Sequence, residues 1–247
     1  MRRRIIATLV IAGIAALALT ACGGKKEEAP VQSSEPAPTV ASAASGTENP
    51  DMILGGWQLN DDDTIGWATE EATAAFEKAT TELTGADYQI VAQLGQQVVS
   101  GMNYMFLCKE TMVTANPVTK LSIVTIYADL EGNAKIANVE DLDLGMFYGA
   151  EDSEVSEALL GGWSIPDGFQ AVNLPDPAST AYDQALGDES GYYPMALLGS
   201  QLVNGTNYAF LCFDESAPCL VYIYAPLEGD AELANVYHIN LGEYSGR

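Results

Sequence analysis

Few side chains of this chain could carry out acid–base or nucleophilic chemistry. The single histidine, His238, has no Ser or Cys placed with it as a nucleophile, so it is better interpreted as a structural or exposed residue. The run of Asp61, Asp62 and Asp63 lacks the ligand spacing, turn glycine and terminal Glu of a calcium loop, and indicates a solvated turn. His and Cys are too few for a zinc site. The sequence therefore predicts a protein that is not an enzyme and holds no metal or cofactor.

The most specific pattern is a Gln-x-Val-x-Gly motif that is followed one residue later by Asn-Tyr. It occurs at 97–104 and again at 201–208, and each copy is preceded by an apolar pair and Gly-Gly, at 53–56 and 159–162. Apolar and polar residues alternate after the motif glycine, which is typical of strand pairing. Because Gly permits backbone conformations that other residues resist, the motif predicts a hairpin turn in each copy.

The two motifs lie in two copies of one smaller unit. Residues 128–145 and 225–242 are identical at ten of their eighteen positions. The order of the shared segments is the same in both copies, as in a tandem repeat. The sequence therefore predicts two domains, at 51–149 and 150–247.

The elements that must carry the motifs are one helix and several strands in each copy. In the first copy, apolar residues recur at three- and four-residue steps from Ala68 to Leu83, which indicates a helix that stops near Gly85. The second copy has a shorter helical pattern near 177–186, with Asp176 as its predicted N-cap. Strand-like runs follow the first helix at about 88–97, 102–110, 119–129 and 134–143. This order predicts an α+β domain with the helix on one face of an antiparallel sheet.

Three features together resemble the cystatins, which inhibit papain-like cysteine proteases. They are the Gln-x-Val-x-Gly motif with its Asn-Tyr, the Gly-Gly before each helix, and the order helix, strand, motif, strand, loop, strand, loop, strand. The second copy, SQLVNGTNY at 200–208, looks most like the stefin-type branch. The resemblance covers both copies and implies two tandem cystatin-like domains, each with one helix packed on an antiparallel sheet.

The resemblance implies a reversible inhibitor that fills the protease cleft with a wedge of three edges. These edges are the N-terminal Gly-Gly trunk, the hairpin with the Gln-x-Val-x-Gly turn, and a second hairpin. Such a wedge is preorganised and needs no catalytic group. The protease-binding residues implied by the resemblance are Leu54, Gly55, Gly56, Gln97, Val98, Val99, Ser100, Gly101 and Leu130 in the first copy, and Leu160, Gly161, Gly162, Gln201, Leu202, Val203, Asn204, Gly205 and Leu227 in the second.

The second hairpin departs from the family pattern. Secreted cystatins carry Pro-Trp there and stefins carry Leu-Pro, whereas this chain has Leu130-Glu131 and Leu227-Glu228. The leucines can supply an apolar tip, but the glutamates would repel an acidic cleft. An alternative hypothesis is a non-inhibitory cell-surface binding or adhesion module that keeps the fold, because one fold carries many functions. Two copies on one tether would then form a bivalent display.

The N-terminus has the layout of a secretory signal. Arg2, Arg3 and Arg4 form a basic region, an apolar stretch follows, and Cys22 comes directly after small residues. The apolar stretch is short for a membrane span, which needs about 20 residues. The pattern resembles a bacterial lipobox and predicts a lipoprotein signal peptide at 1–21 with lipid on Cys22.

The segment after the lipidated Cys is composed mainly of Pro, Ser, Ala and Glu. Such a composition cannot bury enough apolar surface to fold. Residues 22–50 are therefore predicted to be a disordered tether, partly extended at its prolines. The predicted location is the bacterial cell surface, with the protein anchored to the cell membrane on its extracytoplasmic face.

The overall charge excludes several classes of partner. The chain has 34 acidic and 10 basic residues, for a formal net charge of -24. Nucleic-acid recognition needs clustered Lys and Arg, and a folded acidic surface does not dock on anionic lipid. The predicted partners are a papain-like protease from a host or neighbouring cell, and the membrane through the lipid on Cys22 alone.

Three cysteines remain once Cys22 is assigned to lipid. Cys212 and Cys219 flank a short hairpin, so a disulfide between them is one interpretation for an exported protein. The other interpretation is that all three are reduced core residues. Cys108 has no second cysteine in its own copy and is expected to stay reduced.

Overall fold

The computed structural model describes residues 55–60, 64–147, 162–168, 174–187 and 190–246. In it, the long segments of the first copy in which side chains alternate between two faces form a five-stranded antiparallel sheet. The strands in spatial order are β1 (Trp57–Gln58), β2 (Ala86–Val99), β3 (Gly101–Met112), β4 (Thr119–Ala128) and β5 (Ala134–Leu142). The last four lie within two residues of the predicted strand bounds. β1 was not predicted, because two residues are too few to show an alternating pattern.

The second copy forms a second antiparallel sheet with the same neighbour relationships. Its strands are β6 (Trp163–Ser164), β7 (Tyr193–Val203), β8 (Gly205–Phe213), β9 (Pro218–Ala225) and β10 (Glu232–His238), in the spatial order β10-β9-β8-β7-β6. Two antiparallel sheets with few helices are compatible with the predicted α+β class. Residues 49–247 belong to one compact unit.

Helix α1 (Glu70–Thr80) packs on the outer face of the first sheet. The hydroxyl of its N-cap, Thr69, accepts a hydrogen bond from the Ala72 amide at 3.2 Å. The buried ring of Phe76 stands edge-on to Phe106 with centroids 5.1 Å apart. The helix ends at Thr80, before the predicted stop near Gly85. At its end, the Thr81 hydroxyl donates to the Glu77 carbonyl oxygen at 2.6 Å.

Helix α3 (Ala178–Ala185) occupies the equivalent place on the second sheet, with Tyr182 edge-on to Phe210 at 5.2 Å. The prediction that Asp176 is its N-cap is wrong, since the cap position is Pro177. The Asp176 carboxylate instead accepts the hydroxyls of Ser179 and Thr180, at 2.6 and 3.2 Å. The Asp176 carboxylate therefore accepts from side-chain hydroxyls of the first turn, and not from a backbone amide as an N-cap would. A single helical turn, α2 (Leu144–Phe147), follows β5.

The sheet faces opposite the helices pack against each other and form one shared core. In β3, Phe106 and Cys108 face the helix while Met105 and Leu107 face the other sheet, and all four are fully buried. The result is four layers in the order helix, sheet, sheet, helix. Representative members of the shared core are Val91, Leu94, Met105, Leu107 and Ile123 from the first copy, and Leu198, Leu211, Phe213, Tyr222 and Ile239 from the second.

The sheets pack with equivalent contacts in both directions. A Cβ added to Gly95 would lie 2.8 Å from Leu241 Cδ1, and a Cβ added to the equivalent Gly199 would lie 2.8 Å from Leu144 Cδ1. Leu144 and Leu241 each follow the last strand of their copy. The end of each sheet where its last strand finishes therefore lies over the middle of the other sheet. Consequently the two Gln-x-Val-x-Gly turns lie at opposite ends of the layered unit.

Candidate binding tips

The described parts of the three predicted edges of the first copy lie together at one end of its sheet. Val99 pairs with Gly101 across the motif turn, and Met102 pairs with Ala128, so the β4–β5 turn lies next to the motif turn. The trunk joins them through a hydrogen bond from the Gly55 amide to the Val98 carbonyl oxygen at 3.1 Å. We call residues 55–56, 97–101 and 128–132 the first tip.

The second copy repeats this arrangement. Val203 pairs with Gly205 across the turn, Thr206 pairs with Ala225, and Trp163 pairs with Gln201. We call residues 162, 201–205 and 225–229 the second tip. Four predicted site residues lie outside the described residues, namely Leu54, Leu160, Gly161 and Cys22.

The motif glutamine holds the trunk to the hairpin in the first tip. Gln97 Nε2 donates to the Gly55 carbonyl oxygen at 2.9 Å, and its Oε1 accepts from Asn103 Nδ2 at 2.8 Å. In the second tip, Asn207 Nδ2 donates to Gln201 Oε1 at 2.7 Å. The Gln and Asn of the motif are thus hydrogen-bonded to each other within each tip, and we call this pair the glutamine bracket.

The motif glycines are required by the backbone path. Gly101 and Gly205 have φ values of +122° and +121°, a region that side chains resist. Both are buried, and a Cβ would collide with the carbonyl oxygen of Ala128 or Ala225 on the neighbouring strand. Their contribution to the tips is therefore the shape of the turn.

A tyrosine on β4 and its equivalent on β9 are hydrogen-bonded to the backbone of the motif turns. Tyr127 donates its hydroxyl to the Ser100 carbonyl oxygen at 2.6 Å, and Tyr224 donates to the Asn204 carbonyl oxygen. Neither tyrosine was predicted as a site residue. The signal was present, because each lies in an Ile-Tyr-Ala repeated in the two copies. Together with the glutamine brackets they preorganise the tips.

Apolar side chains project from both tips into solvent. Leu130 is 86% exposed, Leu202 73% and Leu227 77%, while Val99 and Val203 are 40% and 44% exposed. Exposed apolar side chains that cluster on a rigid surface are typical of interaction sites. Gln97, Val98 and Gln201 are half-buried, so the exposed apolar groups of the tips are Val99, Val203 and the three leucines.

The β4–β5 turn of the first tip is also rigid. Asp129 Oδ1 accepts the amides of Glu131 at 2.9 Å and Asn133 at 2.7 Å. The Asn133 side chain and these amides lower the pKa of Asp129, so the turn stays charged. The second tip has Pro226 at this position, which fixes its own φ.

The two tips differ in their charge. Lys78 Nζ donates to the Gly132 carbonyl oxygen at 2.6 Å, and Lys135 Nζ lies 5.7 Å from the centroid of Tyr127. The first tip thus has two cations at its base. Residues 136–246 contain no Lys or Arg, while Glu228 is exposed in the second tip. The exposed charge of the second tip is therefore acidic, with no Lys or Arg in its own copy before the last residue.

The remaining candidate groups of the sequence analysis lie away from the tips. Cys212 and Cys219 are Cα partners across β8 and β9, and both are buried free thiols, as is Cys108. Burial raises the pKa of all three, that of Cys219 to about 12. The Cys212–Cys219 disulfide stays a prediction. His238 Nε2 lies 2.8 Å from Asp214 Oδ2 at the opposite end of the sheet from the second tip.

The described part of the chain has neither a metal-ligand cluster nor a membrane-spanning helix. Within it, no three His, Cys, Asp or Glu side chains are grouped as metal ligands. No helix there has both the length and the apolar character to cross a bilayer.

Comparison with known proteins gives no family for this chain. No protein-family model matches it, and no curated protein matches its sequence.

Proposed function

We propose that the protein is a surface-anchored, reversible inhibitor of papain-like cysteine proteases, with tandem cystatin-like domains at 51–149 and 150–247. The observation that supports this function best is the convergence of the trunk glycine Gly55, the motif turn and the turn of Leu130 at one end of a sheet. The second copy has the same arrangement of turns.

Inhibition follows from shape and burial. The leucines and valines of a tip enter apolar subsites, and each fully buried side chain contributes about 1.5–3 kcal/mol. Because the hydrogen bonds from Gln97 and Tyr127 already fix the turn, little conformational entropy is lost on binding. The tip blocks the catalytic cysteine without offering a bond for it to cleave, so binding is competitive and reversible.

The same proposal covers the anchor. A signal peptide at 1–21 is removed, Cys22 carries lipid, and residues 22–50 hold the two tips away from the extracytoplasmic face of the membrane. Proteases from a host or a neighbouring cell would then meet the tips at the bacterial surface.

A non-inhibitory adhesion module is the second candidate function. Glu131 and Glu228 are exposed directly beside the apolar Leu130 and Leu227. These carboxylates favour a partner with a neutral or basic rim over a protease with an acidic one.

Inhibition of papain tests the proposal. We expect residues 49–247 to fold alone, because they form one compact unit, and to inhibit papain with a sub-micromolar Ki. Val99→Glu together with Leu202→Glu should abolish inhibition, because each places a charge at a contact position. Ala74→Glu together with Gln89→Glu, at exposed positions away from the tips, is the charge-matched control. No inhibition by the folded parent chain would favour the adhesion module.

A further inference from the structure

The turn after the last strand of the first copy lies beside the second tip. Leu144 Cδ1 packs against Gly199 of β7, and a Cβ added to Gly145 would lie 3.9 Å from Cδ1 and Nε1 of Trp163. Trp163 pairs with Gln201 at the base of the second tip and directly follows the trunk residue 162. The next residue in the turn, Met146, is 73% exposed.

The turn after the last strand of the second copy packs against the strand that leads into the first tip. Leu241 Cδ1 packs against Gly95, whose added Cβ would also lie 2.9 Å from the carbonyl oxygen of Gln58 in β1. β1 is the strand that continues the trunk of the first tip. The residue equivalent to Met146 here is Glu243, which is also exposed.

The two turns have the same pattern of hydrogen bonds, in which backbone amides donate to one side-chain and one backbone oxygen. Asp143 Oδ1 accepts the Gly145 amide at 2.8 Å, and Asn240 Oδ1 accepts the Gly242 amide at 3.1 Å. The Met146 amide donates to the Asp143 carbonyl oxygen at 3.3 Å, and the Glu243 amide donates to the Asn240 carbonyl oxygen at 3.0 Å. The two turns therefore share one backbone shape, which carries an exposed apolar side chain, Met146, in the first copy and an exposed carboxylate, Glu243, in the second.

We propose that each tip is completed by the other copy, so that Met146 determines specificity at the second tip and Glu243 at the first. This rests on the proposed function. Met146 offers a flexible thioether to an apolar wall of the protease cleft on the trunk side. Glu243, whose carboxylate accepts from Asn240 Nδ2 at 3.1 Å, instead favours a cleft with a basic or amide-rich wall.

Chains with a single active tip and papain as the probe test this assignment. Val99→Glu with Leu130→Glu leaves only the second tip, and Met146→Glu in that background should raise the Ki for papain at least about tenfold. Met146→Leu should keep the Ki within about twofold, because it preserves an apolar side chain of similar volume. The melting temperature should not change, since Met146 is exposed.

The reciprocal chain isolates the first tip. With Leu202→Glu and Leu227→Glu in place, Glu243→Met should change the dependence of the Ki on salt, because it removes one of the charges beside the first tip. In this chain Met146→Glu should have no effect. The assignment is overturned if Met146→Glu leaves inhibition by the second tip intact, or weakens both tips equally through a loss of stability. If the parent chain does not inhibit papain at all, the proposed function fails together with it.

Discussion

Asn103 donates a hydrogen bond to Gln97 at 2.8 Å across the motif turn, and Asn207 repeats this contact with Gln201 at 2.7 Å. In the first tip the same glutamine also donates to the carbonyl oxygen of Gly55. The most specific polar residues of the motif thus act on the shape of the tip. Exposed apolar side chains lie around them, and in the proposed inhibitor these make the contact with the protease.

Replacing the glutamine should loosen the trunk while leaving the core intact. We expect Gln97→Ala, made with the second tip disabled by Leu202→Glu and Leu227→Glu, to raise the Ki for papain about tenfold. It should reduce the free energy of unfolding by about 1–3 kcal/mol, the value of the two side-chain hydrogen bonds that are lost. Gln89→Ala, at an exposed position of the same strand, is the control. Equal effects of the two changes would mean that the bracket has no role in binding.

The motif glycine should matter for stability more than a glycine that is free of neighbours. Gly101→Ala forces a Cβ against the Ala128 carbonyl oxygen and should cost about 2–4 kcal/mol. Gly132→Ala also has a positive φ but has nothing within 4 Å of the added Cβ, and should cost about 1 kcal/mol. Urea unfolding measures both, and similar losses would contradict the close approach.

Acid should remove a stabilising contribution from the β8–β9 turn. Partial burial acts to raise the pKa of Asp214, but the amides of Ser216 and Ala217, the Ser216 hydroxyl and His238 outweigh it and lower that pKa from 3.8 to about 2. Because the folded pKa lies below the unfolded one, the contribution is complete above about pH 4 and is lost as the pH falls towards 2.

Asp214→Asn should therefore destabilise the protein at pH 7, by on the order of 2 kcal/mol. The difference from the parent should shrink as the pH approaches 2. Glu215→Gln removes the same charge from an exposed neighbour and should have little effect at any pH. Thermal melts across this range decide the matter, and a difference that does not depend on pH would rule out the charge of Asp214 as its cause.

One chain should bind two papain molecules at once. Leu144 over Gly199 and Leu241 over Gly95 set the sheets so that the tips lie at opposite ends. A strand of the length of β3 spans about 40 Å, so two proteases need not collide. Light scattering of a mixture with excess papain should give the mass of a complex with two proteases. Saturation at one protease with both tips intact would contradict this geometry.

Much of the fold could be predicted from local pattern, and its layering could not. The strands β2 to β5 are recognisable by their long period-two runs, whereas β1 and β6 have only two residues each. The continuous apolar run Met105, Phe106, Leu107 and Cys108 carried a signal that the sheet is covered on both faces, as it is here. What covers the second face depends on contacts between copies that are distant in sequence.

The candidate tips were predictable in part for the same reason. The motif and its repetition gave the positions of Val99, Leu202 and the two turns. The hydroxyl bonds of Tyr127 and Tyr224 could have been suspected from the repeated Ile-Tyr-Ala. The place of Gly145 beside Trp163 depends on how two sheets pack, and no spacing along the chain encodes it.

Hydrogen exchange on residues 49–247 with and without papain reports where the protease binds, and so decides whether the tips are the binding surface. Binding at the tips predicts slower exchange at the amides of 97–101, 129–132, 201–205 and 227–229, with the helices α1 and α3 unchanged. Binding at the tips would be contradicted by protection that is confined to the helices or the outer strands. It would also be contradicted by no protection at a papain concentration well above a sub-micromolar Ki.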